Sequence, residues 1–213
     1  ASCEGKKIII TAGGTKEDID TVRYIGNYSS GKMGIAIADN AYKLGAEVVL
    51  ISTVEADKKY KVINVKTAQE MYEAVKDEFK IADSLIMVAA VSDYRGKNKS
   101  EQKIKKDGNA LTLELVENPD ILQEMCKIKK ENQTVIGFCA ESENLIENAK
   151  IKIAKKNCDY ICANDISKKD TGFSSNYNEL YIIDKKLNIT HIEKTDKNTA
   201  GLRILKEIYG KSK

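Results

Sequence analysis

The chain has 213 residues, enough for one α/β domain with a core on both faces of a sheet and little beyond it. Its 35 basic and 32 acidic side chains leave a net charge of only +3, which excludes a bulk field for nucleic acid or an anionic membrane; any basic function is local. Five scattered cysteines, Cys3, Cys126, Cys139, Cys158 and Cys162, form no C-x-x-C pairs at metal spacing and read as reduced, packed thiols of a cytoplasmic protein.

In chain order, short β-rich apolar runs alternate with amphipathic stretches, the pattern of strands linked by helices in a mainly parallel sheet. "KIIIT" (Lys7 to Thr11) is the first strand, and "ASCEGKK" before it lacks a methionine, as expected of a piece excised from a longer polypeptide. A helix from Lys32 to Leu44 closes on Gly45, and strands follow at Ala46 to Ser52 and Lys61 to Val65. The next elements are a helix from Ala68 to Phe79 and a strand from Ser84 to Val91. That strand holds the longest apolar run, "LIMVAAV", far below the roughly 20 residues of a membrane span. The polar, lysine-rich stretch from Asp93 to Asn109 is a long loop, and loops of that length in compact domains are functional or disordered. In "ENPDIL" Asn118 is expected as N-cap, Pro119 as the first helical residue and Asp120 near the positive helix end, for a helix running to Lys130. Strands at Thr134 to Ala140 and Asp159 to Asn164 flank a helix from Glu143 to Lys156. "ELYIIDKKLNITHI" then reads as an antiparallel hairpin turning at Asp184 to Leu187, before a last helix from Asp196 to Tyr209. The expected fold is α/β: a three-layer, Rossmann-like, mainly parallel sheet with a C-terminal antiparallel hairpin, in one domain.

"GNYSSGKM" (Gly26 to Met33) is one residue short of a P-loop, because Met33 lacks the hydroxyl that would bind Mg²⁺ and no strand leads directly into it. Its Gly31 and Gly34 still let main-chain N–H groups approach an anion at a helix start, and capping by Ser29 or Ser30 stands as an equal reading of the same residues. "TAGGT" (Thr11 to Thr15) lies at the carboxyl end of the first strand, where open α/β sheets bind ligands, but it is not G-x-G-x-x-G; a tight turn suffices to explain Gly13. In "AAVSDYR" (Ala89 to Arg95) small residues admit a ligand against the backbone, and Asp93 either binds it or pairs with Arg95. Of the lysine clusters, Lys103 to Lys106 lies in the long loop as a possible lid, while Lys152 and Lys156 share a helix face and can serve the dipole or a polyphosphate. Lone His191 reads as a strand histidine, and no triad, carboxylate pair or metal cluster declares itself, so any metal is carried in by ligand phosphates.

"ITAGGTKEDIDTVRYIGNYSSGKMG", "AAVSDYR", "KIKK", "NPDIL", "GFCAE" and "KKNCDYICAND" occur in this order, and from Lys7 to about Asn178 the series resembles the phosphopantothenate–cysteine ligase family. "SSGKMG" looks like the ligase half of the bacterial bifunctional enzyme whose other half is a flavin-dependent decarboxylase. The resemblance implies that 4′-phosphopantothenate is activated by CTP with Mg²⁺ as an acyl-cytidylate, which L-cysteine converts to 4′-phosphopantothenoylcysteine, releasing CMP, in coenzyme A biosynthesis. It implies a triphosphate cradle of Gly14, Ser29, Ser30, Gly31, Met33 and Gly34. Met87, Val88, Ala89, Asp93, Lys103, Pro119, Asp120, Ile121, Leu122, Phe138, Lys152 and Lys156 would complete the CTP site. Asn27, Ala89, Ala90 and Asp93 would meet the pantothenoyl substrate; Asn27, Arg23 and the flap residue Lys103 would be catalytic, and no residue is assigned to a metal. Ser92 and Cys139 stand where relatives often have Ala. A homodimer is implied, with the hairpin from Leu180 to Ile192 expected at its interface, and neither nucleic acid nor membrane as partner. A non-catalytic nucleotide-binding module is the rival reading, and an NAD-dependent reductase a weaker third.

Overall fold

The computed structural model describes residues 2–171 and 175–210. The alternation β1 (Lys7–Ala12), α1 (Lys32–Lys43), β4 (Glu47–Ser52), β5 (Lys61–Asn64), α2 (Ala68–Phe79), β6 (Ser84–Met87) builds one half of a parallel sheet. The short strands β2 (Lys16–Asp18) and β3 (Tyr24–Gly26) interrupt it as a separate ribbon. The second half follows as β7 (Tyr94–Gly96), β8 (Leu115–Glu117), α3 (Ile121–Ile128), β9 (Thr134–Glu141), α4 (Leu145–Lys156), β10 (Tyr160–Asp165), β11 (Tyr177–Asp184), β12 (Ile189–Asp196) and α5 (Lys197–Tyr209).

Among the described residues the main sheet has eight strands in the order β12-β11-β10-β9-β6-β1-β4-β5. The six from β10 to β5 run parallel, and β11 and β12 add the antiparallel hairpin. The arrangement is the three-layer Rossmann-like α/β fold expected. Side chains alternate across each strand, so Ile8 and Ile10 pack beneath Ile37 of α1 and Ile204 of α5, while Ile9 faces the opposite layer with Val75 of α2, Met125 of α3 and Ile153 of α4. Both faces are therefore covered, which is why the strands read as continuous apolar runs. All five cysteines are free, and all but Cys139 are buried. No helix among the described residues is long and apolar enough to cross a membrane.

Three of the departures from the sequence pattern shape the edge of the sheet where the strands end. β6 stops at Met87 rather than Val91, because the Thr11 hydroxyl takes the N–H groups of Val88 and Ala89, each at 3.1 Å, in place of a strand partner. The helix after Pro119 starts two residues late. Asp120 is its N-cap, accepting from Gln123 N–H at 3.0 Å, whereas Asn118 donates to the Ser92 carbonyl at 2.8 Å and to Glu17 at 3.2 Å. The segment from Asp93 is not structureless throughout, since β7 pairs with β8 as a ribbon beside β2.

α1 lies so close to β1 that a Cβ on Gly34 would sit 2.6 Å from the Thr11 carbonyl oxygen and 2.7 Å from Ala12 Cβ. Both neighbours belong to a buried strand and cannot rotate away. Gly34→Ala is expected to destabilise the fold by about 1–3 kcal/mol through overpacking, read as a lower urea midpoint; an unchanged midpoint would show that the helix is free to shift.

Candidate functional site

The parallel strands β1, β6, β9 and β10 end on the same edge, where ligands of open α/β sheets bind. Local hydrogen bonds hold that edge open. Thr15 N–H reaches the Ala90 carbonyl at 3.1 Å and Ala90 N–H the Gly13 carbonyl at 2.8 Å, while the Thr15 hydroxyl accepts from Ser92 N–H at 2.9 Å. These bonds stitch the segments leaving β1 and β6 into the floor of a cleft of about 860 Å³.

One wall is the start of α1. Gly31 is its N-cap at φ +76°, a left-handed conformation that glycine adopts without strain, and it has no side chain with which to cap the N–H groups of Met33 and Gly34. Ser29 and Ser30 each accept a main-chain N–H, from Gly31 at 3.3 Å and Lys32 at 3.4 Å. The first-turn N–H groups of Met33 and Gly34 thus stand at the positive end of a twelve-residue helix beside the cleft. The opposite wall carries Pro119, Asp120, Lys152 and Lys156, while Phe138 points from β9 toward the α1–α5 layer. Lys156 pairs with Asp120 at 3.0 Å and Lys152 with Glu141 at 2.9 Å. Burial alone would lower the Lys152 ammonium pKa, but the Glu141 carboxylate and, further off, Asp93 raise it, so the lysine stays charged. Burial pushes the Cys139 thiol on this wall up to about 11, so its sulfur is no ready nucleophile.

Asn27 sits between the walls, its amide donating to the Val91 carbonyl at 3.4 Å. The structure gathers Asn27, Ser29, Ser30, Gly31, Met33, Gly34, Met87 to Ala90, Asp93, Pro119 to Leu122, Phe138, Lys152 and Lys156 around this one cleft. Gly14, Arg23 and Lys103 lie outside its lining. Gly14 acts from beneath: a Cβ there would meet the Asn27 carbonyl oxygen at 2.5 Å, so only glycine lets that backbone cross. Arg23 pairs with buried Asp20, and its two terminal nitrogens lie 3.3 Å from the Ile104 carbonyl. Asp20 accepts Ile104 N–H at 3.0 Å, so the pair grips the main chain next to exposed Lys103. Burial would raise the Asp20 pKa, yet the N–H groups of Ile104, Val22 and Arg23 and the Arg23 guanidinium override it and hold it at about 2.

The lining also includes residues to which the sequence assigned no ligand role: Lys32, Asn118, Lys155, Asn164, Asn178 and Lys197. Lys32 lies inside the quoted glycine motif and was legible there, whereas Lys197 reaches the cleft only because β12 delivers the start of α5 to this edge. Lys197 is 7% exposed; burial and then the nearby Lys32 bring its pKa down to about 8. His191 lies apart from the cleft, stacked on Tyr181 and bonded to Glu179 at 2.8 Å.

A model of the DNA/pantothenate metabolism flavoprotein C-terminal domain family matches residues 3–211. The coenzyme A biosynthesis bifunctional protein CoaBC of Borreliella burgdorferi is 44% identical over 211 residues, 97% of this chain and 53% of that protein. The chain spans about half the length of the curated relatives it matches. The crystal structure of the C-terminal domain of a CoaBC protein superposes with a TM-score of 0.82 at 36% identity, covering 98% of this chain and 96% of that one. The Cab2 H337A variant in complex with phosphopantothenate-cysteine shares the fold at a TM-score of 0.78 and 15% identity, over 96% of this chain and 85% of that one. With matches along nearly its whole length, the chain belongs to the DNA/pantothenate metabolism flavoprotein C-terminal domain family, and its likeness is to the C-terminal domain of CoaBC.

Proposed function

We propose that this domain ligates 4′-phosphopantothenate to L-cysteine in coenzyme A biosynthesis, using CTP and forming an acyl-cytidylate. The observation that carries the reading is the joining, in one cleft, of an uncapped helix start, a lysine-bearing wall and an amide side chain between them. The relatives named for coenzyme A biosynthesis support it, as does the phosphopantothenate-cysteine held by a protein of the same fold. Because those relatives are bifunctional and twice as long, fusion to a flavin-dependent decarboxylase domain and work in the cytoplasm belong to the same proposal.

In this reading the triphosphate lies on the N–H groups of Met33 and Gly34, with Ser29, Ser30 and Gly31 shaping the corner. The cytidine extends toward Phe138 and residues Pro119 to Leu122, with Lys152 and Lys156 near the phosphate–ribose junction. The pantothenoyl arm lies over Ala89, Ala90 and Asp93. Its carboxylate oxygen attacks the α-phosphorus, the bond to the β-phosphate breaks, and pyrophosphate departs with the electron pair. Asn27 donates to the acyl oxygen as charge develops, and Lys103 swings over the α-phosphate. Arg23 and Asp20 set the hinge of that movement through Ile104. The cysteine amine then attacks the acyl carbon, CMP leaves, and a proton is lost from nitrogen. Mg²⁺ enters as part of the nucleotide substrate. Among the described residues no cluster of three His, Cys, Asp or Glu could hold it, and Asp93 on the cleft wall suits the one or two carboxylates that Mg²⁺ takes alongside phosphates.

A homodimer is part of this reading. The hairpin from Leu180 to Ile192 exposes Leu187 and Ile189, whereas Val22, Tyr24, Tyr94, Leu111, Leu113 and Leu115 stand exposed on or near the two small ribbons. The larger apolar surface is the second, so we place the contact there rather than on the hairpin. Leu113→Glu is expected to convert a sedimenting dimer to monomer, and a dimer broken instead by Ile189→Glu would return the interface to the hairpin.

Pyrophosphate release from CTP, dependent on phosphopantothenate and faster than with ATP, is the expected activity. Lys103→Gln should slow it by on the order of 10²-fold with CTP affinity little changed. Tight CTP binding without release above background would reduce the domain to a nucleotide-binding module, and a loss confined to affinity would make Lys103 a binding residue.

A further inference from the structure

The cleft has a second cationic end that the nucleotide wall does not explain. β12 runs parallel to β10, so α5 begins at the edge where β10 ends, and its first residue, Lys197, meets the first residue of α1, Lys32, at the cleft. A short stretch of chain organises both. Lys32 Nζ donates to the Asn176 side-chain oxygen at 2.9 Å, and Lys197 donates its main-chain N–H to the Asn176 carbonyl at 3.1 Å. Lys197 Nζ bonds the Asn178 side-chain oxygen, and Asn178 in turn donates to the Asn164 side chain at 2.8 Å. The carboxylates adjoining this stretch are committed elsewhere: Asp196 caps α5 through Thr199, and Glu179 holds Lys168 and His191.

Two ammonium groups brought together by amide oxygens repel one another, and one of them is almost fully buried. A ligand of charge −2 or more relieves both costs, and compact, rotatable ammonium groups suit the spread oxygens of a polyphosphate. The position selects which part of a nucleotide arrives. Lys32 directly precedes the Met33 and Gly34 N–H groups in the α1–α5 layer, whereas Asp120 and Lys156 belong to α3 and α4, which cover the other face of the sheet.

We propose that Lys32 and Lys197 form a seat for the β- and γ-phosphates and hold the pyrophosphate that leaves. The inference rests on the ligase reading and assigns the nucleotide's direction in the cleft: base toward α3, terminal phosphate toward α5. When the α-phosphorus bond to the bridging oxygen breaks, the electron pair moves onto the β-phosphate, and these two ammonium groups neutralise it.

The test is calorimetric binding of inorganic tripolyphosphate, CTP and CMP to the wild type, Lys32→Gln, Lys197→Met and Lys197→Arg, with pyrophosphate release measured on each. Removing either charge should weaken tripolyphosphate and CTP about 10-fold, as loss of one charged hydrogen bond does, and leave CMP within about twofold. Lys197→Arg should recover most of the loss. Equal weakening of CTP and CMP, or unchanged CTP and tripolyphosphate affinity in Lys32→Gln, would overturn the seat; Lys32 is exposed, so that variant tests it even should Lys197→Met fail to fold. Lysine-dependent tripolyphosphate binding by a wild type that releases no pyrophosphate from CTP would support the seat and defeat the ligase reading. Normal turnover with both lysines dispensable would do the reverse.

Discussion

The site depends on a competition at the tips of two adjacent strands, where threonine hydroxyls replace the sheet ladder. Thr11 Oγ1 binds the N–H groups of Val88 and Ala89, and Thr15 Oγ1 binds that of Ser92. The chain leaving β6 therefore drops out of register after four residues instead of extending the sheet. What would be a closed strand pair becomes the floor of a cleft lined by small residues. Asn118 then ties that floor to the start of α3 through the Ser92 carbonyl. The same bonds that end a secondary-structure element create the place for a ligand.

Electrostatics converge on that floor from three helix starts. α1 offers main-chain N–H groups without a side-chain cap, α5 contributes Lys197, and α3 is already neutralised by Asp120, which also holds Lys156. The helix start without an acid is the one facing the glycines, and only there is an incoming phosphate free of a competing carboxylate. The difference between Gly31 and Asp120 at these two N-caps orients whatever binds.

Much of this was legible in the sequence where the physics is local. Buried parallel strands read as unbroken apolar runs because helices cover both faces, and "SSGKMG" revealed a helix start next to glycines. Local patterns failed where distant groups compete for the same hydrogen bonds. "LIMVAAV" has the propensity of a long strand, and only a hydroxyl some 77 residues earlier in the chain shortens it. Asn118 has the sequence context of an N-cap but is claimed by Ser92 and Glu17, leaving the role to Asp120. The ribbons β2–β3 and β7–β8 are three-residue strands, too short for a period to show. Lys197 has no motif because its place follows from sheet topology.

The central claim is that the helix start at Gly31 grips a polyphosphate through the main chain. A crystal structure of the domain soaked with CTP tests it most directly. The phosphate oxygens are expected within hydrogen-bonding distance of the Met33 and Gly34 N–H groups. Density for the phosphates at another corner of the cleft, out of reach of those two N–H groups, would contradict it.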